Sequence, residues 1–197
     1  PDMRIDISVH DSFGQLILEQ RKTVTHRSTL RVDLTEPFER SGPVDSLGVG
    51  SVTVTMRALS EGYRGTTRPQ IEILTDGAAC AVHGQAVGRN QGGSIIFGGR
   101  DTDERRFISL VSRDRSTLPF ELRYPLALHG SYDHGAIHQR LSLPPNGACL
   151  VELEPCSQTA LRSSSGLLRA SWKSDGQFAA HVLIADRQLG RFSIDHS

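Results

Sequence analysis

The chain has 197 residues, and its 22 Lys+Arg balance 22 Asp+Glu, so the formal net charge is zero. With 37% hydrophobic residues it holds the apolar material for one large domain or two small ones. That balance excludes a disordered composition and the chain-wide basic surface that nucleic acid or anionic lipid demands.

No apolar run nears the roughly 20 residues that cross a bilayer, and no leader has the basic, apolar and small-residue order of a signal peptide. The chain opens at Pro1 without an initiator Met, as a trimmed chain or a piece of a longer protein would. Cys80, Cys149 and Cys156 are an odd set with no CxxC, unlike a disulfide framework or a thiolate zinc site. A reduced, cytoplasmic setting is therefore expected.

Along the chain, alternation with period two is the dominant signal. Met3, Ile5, Ile7 and Val9 alternate with Arg4, Asp6, Ser8 and His10, which predicts a strand with one buried and one wet face. Leu30, Val32 and Leu34 alternate with Arg31 and Asp33, and Val52, Val54, Met56 and Ala58 with Thr53, Thr55 and Arg57, predicting two more. Asp76-Gly77 is a tight-turn signal. Gly84–Arg106 carries glycine pairs and the charge run Arg100–Arg106, with only Ser94–Phe97 strand-like, and reads as a connection or a long loop. Phe120, Leu122 and Tyr124 alternate with Glu121 and Arg123. Finally Asp175-Gly176 is expected to turn the strand Leu168–Trp172 back onto Phe178–Ile184, forming a hairpin. No stretch of ten residues has helical spacing. The expected class is all-β, an antiparallel β-sandwich.

The halves also read as a faint duplication. Ile7-Ser8-Val9, Leu18–Arg21, Arg31–Leu34 with Glu36-Pro37, and Gly50–Met56 are matched in order by Ile108-Ser109-Leu110, Phe120–Arg123, Leu150–Leu153 with Glu154-Pro155, and Gly166–Trp172. His83 and His196 close the two repeats, and His181 falls mid-strand; a structural role fits all three. The expected organisation is two tandem related sandwich subdomains, 1–84 and 107–197, joined by 85–106.

Few residues point to chemistry. His129, His134 and His138, with Tyr132 and Asp133 beside them, have the ligand types of a zinc or other divalent metal site, although their spacing fits no standard zinc signature. They support an alternative reading as a cupin-like or hydrolytic metal enzyme; otherwise no cofactor is expected. No G-x-S-x-G elbow or Walker motif occurs, and Gly48-Val49-Gly50-Ser51 precedes a strand where a phosphate-cradling loop would precede a helix. Trp172 and Tyr132 are the ring candidates for a glycan or small ligand, and Arg100 and Arg105 the charged ones. Asp101, Asp103 and Glu104 offset those arginines, and aromatics are only 6%, so nucleic acid is not an expected partner.

Ser174-Asp175-Gly176-Gln177-Phe178-Ala179-Ala180-His181, followed by Ala185-Asp186-Arg187-Gln188, resembles the sensory rhodopsin transducer family, as does Arg27–Leu34. The resemblance implies a Ser-Asp turn, then an apolar strand ending in His. It also implies a small β-sandwich that oligomerises and binds partners or small ligands without chemistry, and it transfers no functional residue. The sequence therefore leads to a non-catalytic binding or assembly module, expected to be a homo-oligomer, that meets a protein partner or small ligand at a sheet edge or at the 85–106 junction. A metal-dependent enzyme and a carbohydrate-binding accessory domain are the alternatives.

Overall fold

The computed structural model describes residues 2–25, 27–36, 49–60, 69–74, 79–84, 89–98, 104–127, 137–153, 167–186 and 192–196. Their regular elements are twelve strands in antiparallel sheets, as the alternation predicts. These are β1 (Met3–Asp11), β2 (Leu16–Val24), β3 (Gly50–Ala58), β4 (Gln70–Leu74), β5 (Ala79–His83) and β6 (Arg89–Gly98). They continue with β7 (Glu104–Ser112), β8 (Leu118–Ala127), β9 (Ile137–Leu143), β10 (Ala148–Leu153), β11 (Leu167–Asp186) and β12 (Phe192–His196). They form a three-stranded sheet β2-β1-β3, the pair β4-β5, and a curled, half-barrel sheet of seven strands built on β11.

At 20 residues, β11 is the spine. Its first half pairs with β6 and β8, its second half with β7 and β12; β9 lies outside β8 and β10 outside β7. Hence Leu168–Trp172 and Phe178–Ile184 are not the two arms of a hairpin but one continuous strand, and Asp175-Gly176 is a bend within it. The Ser-Asp turn implied by the family resemblance falls inside the same strand. The physical reason is parity. A two-residue turn at Asp175-Gly176 would put Trp172 opposite Ala179 and Lys173 opposite Phe178, sending the apolar residues of the two arms to opposite faces. A continuous strand keeps Ala170, Trp172, Ser174, Gly176, Phe178, Ala180 and Val182 on one face, and all seven are buried.

The bend is a β-bulge. Three steps along β11, from Lys173 to Gly176, oppose two along β6, from Gly92 to Asn90. A second irregularity, between Arg169 and Ser171, puts the extra residue on β8. Such bulges bend a strand and increase its twist, which curls the sheet. Gly92, opposite Lys173, has φ +150°, where a side chain is strained, and an added Cβ there would sit 2.6 Å from the Trp172 carbonyl oxygen. The loop before β8 clamps the bend: Arg113 N donates to Gln177 O at 2.7 Å, and Gln177 N donates to Asp114 Oδ2 at 3.2 Å.

One face of this sheet holds the main core, which joins Ile108 and Leu110 of β7 to Phe120, Leu122 and Tyr124 of β8, Leu143 of β9, Val151 and Leu153 of β10, and the β11 residues above. Phe120 and Phe178 meet edge to face, 4.7 Å between ring centres at 79°. Alternate residues of the same strands, Phe107, Ala148, Ala179 and Ala185, project from the other face and are also buried, as are Ile7 and Val9 of β1 and Val82 of β5. The smaller sheets are tied on by hydrogen bonds: Ala148 N to Ser12 O at 3.2 Å, Ser51 Oγ to Asn146 O at 2.6 Å, and Ile194 N to Cys80 Sγ at 3.2 Å.

Three further expectations differ. Leu30–Leu34 is no strand: its alternation survives as alternating exposure, but it has no ladder partner. The 85–106 segment contains β6 and the first residues of β7, because glycines and charges are tolerated where a ladder supplies the order. The halves pair differently: β1 bonds to both β2 and β3, whereas β7 and β8, which the duplication matches to β1 and β2, each bond to β11. The turn at Asp76-Gly77 falls between paired β4 and β5 and lies outside the described residues.

Candidate interaction surface

In the sheet β2-β1-β3, the strand period separates two chemistries. Ile5, Ile7 and Val9 oppose Met56, Val54 and Val52 on one face. On the other, Asp6 lies between Arg21 and Thr55, Ser8 between Glu19 and Thr53, and His10 between Leu16 and Ser51. Asp6 is the electrostatic centre of that polar face: its Oδ1 accepts from Arg21 Nε at 2.7 Å and its Oδ2 from Arg4 Nε at 3.2 Å. The Arg21 bond first, helped by the Arg4 charge, holds the carboxyl below its ordinary value of 3.8.

At the seam with the β9–β10 turn this face closes over. Ser51 is buried on Asn146, whose φ of 57° lies in the left-handed region. His10 Nδ1 and Thr53 Oγ1 are buried without a hydrogen-bond partner among the described residues. Burial, and then the charge of Arg113, lower the His10 pKa from 6.5.

The far side of β2 carries no strand among the described residues. β2 is reached by a tight turn in which Asp11 Oδ1 accepts from Phe13 N and Gln15 N, both at 2.9 Å, and Gly14 takes φ +80°. The turn leaves Phe13 74% and Leu16 56% exposed at the start of the strand. Farther along, the Arg21 side chain is 70% exposed although Asp6 fixes its Nε. An unpaired strand edge offers a row of N–H and C=O groups to another chain. Sequence reading did not pair β2 with β1, and the signal that would have done so is Asp11-Ser12-Phe13-Gly14, a turn tetrapeptide after the first alternating run; that signal does not say that the far edge is open.

His129, Tyr132, Asp133, His134 and Arg100 lie outside the described residues, as does Cys156. His138 is exposed on β9, with its Nε2 3.4 Å from an Arg123 nitrogen. No group of three or more His, Cys, Asp or Glu among the described residues could hold a metal. Trp172 offers no exposed ring for stacking: it is 5% exposed, and Gly93 lies so close that an added Cβ would be 2.7 Å from Cζ2. Its Nε1 has no hydrogen-bond partner among the described residues, nor does the buried Ser174 Oγ two residues on.

Arg105 forms a bidentate pair with Glu152, 2.8 and 2.6 Å, and lies 5.0 Å over the Phe107 ring, so it ties β7 to β10. A deletion of Arg100–Arg106 would therefore cut into β7 and remove a structural tie along with any docking surface. Cys80 and Cys149 are free thiols, and burial pushes Cys149 up to about 11. His181 and His196 are opposite one another across β11 and β12, while His83 opposes Gln70 on the β4–β5 pair. In comparisons with known proteins, no family model, no curated protein and no solved structure matches the chain.

Proposed function

We propose that this chain is a non-catalytic binding or assembly module, a β-sandwich in its larger part, that takes up a protein partner as an added strand along the outer edge of β2. The observation that carries the reading is the one-sided ladder of this nine-residue strand, which is bonded to β1 and to no other described strand. The exposed Phe13 and Leu16 at its start supply apolar side-chain contacts, and the outward backbone groups supply affinity without sequence motifs.

The test uses nine-residue peptides on an alternating Val/Thr scaffold that differ only in the charges at two positions. The backbone amides of Leu16–Val24 are followed by NMR as each peptide is titrated into the intact protein. At least one member is expected to shift those amides and slow the exchange of alternate ones. A panel in which no member does so would sink the reading.

A further inference from the structure

We propose that the strand received by β2 is the β2 of a second copy, paired antiparallel about a two-fold axis through Gln20; this rests on the edge reading above. The register follows from symmetry and charge. A two-fold axis that joins two identical edges antiparallel stands perpendicular to the sheet, so polar face continues into polar face and paired residue numbers sum to an even value. A sum of 42 sets Arg21 against Arg21, and a sum of 38 sets Glu19 against Glu19. A sum of 40 sets Glu19 against the second copy's Arg21 twice over, with Leu18 against the stem of Lys22.

Within one copy, Glu19 and Arg21 already share the polar face, and Asp6 bonds Arg21 Nε and so holds the guanidinium in place. The join would extend Asp6–Arg21 into a row of alternating sign, Asp6, Arg21 and the second copy's Glu19, with its mirror beside it. Opposite charges directly across an antiparallel pair stabilise it, and like charges there destabilise it. The two equivalent contacts would give the edge a preference for itself over an uncharged strand.

The experiment is sedimentation equilibrium of the intact chain and of Glu19→Arg and Arg21→Glu, alone and mixed. The wild type is expected to dimerise, and each reversal to raise the dimer dissociation constant on the order of tenfold. An equimolar mixture of the two reversals should form heterodimers, because opposite charges then face each other at both contacts: positions 19 and 21 are both positive in one copy and both negative in the other. Glu19→Arg leaves the Asp6–Arg21 bond intact and carries the test if Arg21→Glu fails to fold. Added salt should weaken wild-type association and strengthen that of Glu19→Arg. A monomeric wild type, or a dimer indifferent to both reversals and to salt, would overturn the self-pairing. If peptides still shift the β2 amides in that case, the edge reading stands and only the identity of its partner falls; if none does, both fall.

Discussion

Gly176 tests the continuous β11 more sharply than any other position. A Cβ there would collide with Cδ2 of Leu118, lie 3.0 Å from its Cδ1 and 2.8 Å from Asp114 Oδ2. Leu118 is 3% exposed and part of the core, so its methyls have little room to retreat. Overpacking of this kind costs about 1–3 kcal/mol. Against it stands the roughly 0.4–1 kcal/mol gained by restricting the unfolded chain when Gly becomes Ala. Gly176→Ala is therefore expected to lose about 1–2 kcal/mol net, a fall in Tm of roughly 2–8 °C for a chain of this size. A glycine in a tight turn would also resist substitution, so the decisive measurement is a double-mutant cycle with Leu118→Ala by urea denaturation. Contact across the bend predicts that removing the Leu118 methyls relieves the alanine, with a coupling of about 1 kcal/mol. Additive losses would refute the continuous strand and restore the hairpin.

Asp114 gives a pH signature: its carboxyl is held below 3.8, above all by the Gln177 amide and then by that of Ser116. The stability it contributes is present above pH 3.8 and is lost as the pH falls through the lowered native value, so Asp114→Asn should flatten the acid limb of urea midpoints measured between pH 2 and 6. A variant with the wild-type acid limb would contradict this. Cys149, pushed up to about 11 by burial, should resist a thiol reagent at pH 8 in the native protein and react fully in denaturant, read by peptide mass spectrometry; labelling at the denatured rate would exclude its buried place. Trp172 is the only tryptophan in the chain, so fluorescence reports it alone. Native emission should be blue-shifted and hard to quench with acrylamide, and a quenchable, red-shifted indole would return it to the surface.

The sequence disclosed the fold wherever one face of a strand is buried and the other is wet. Met3–His10, Val52–Ala58 and Phe120–Tyr124 alternate cleanly because one face of each is apolar and the other polar, with Ile7, Val9, Phe120, Leu122 and Tyr124 buried between more exposed neighbours. Elsewhere the same signal was ambiguous. Asp175-Gly176 is chemically a turn, and only the unbroken parity of the buried even residues from Ala170 to Val182 separates a bulge from a reversal. β7 buries residues on both faces, including Arg106, Phe107 and Ile108 in succession, and so blurs the period. β2 is an edge strand in which Gln20 and Lys22 stand at positions that share the apolar face, so its alternation fades. β6 has glycines where a packed strand has side chains and depends on β11 for its order. The candidate surface was the least legible part, because an open edge is a property of sheet order. Nothing in Leu16–Val24 states which of its sides will be covered.

The most direct test is amide hydrogen exchange along β2 in the wild-type protein at low and high concentration. An edge that takes up a second copy predicts that alternate amides of Leu16–Val24, those pointing away from β1, exchange fast when dilute and become protected as concentration rises, while β1 is unchanged. Protection that is the same at both concentrations, whether high or absent, would contradict the account.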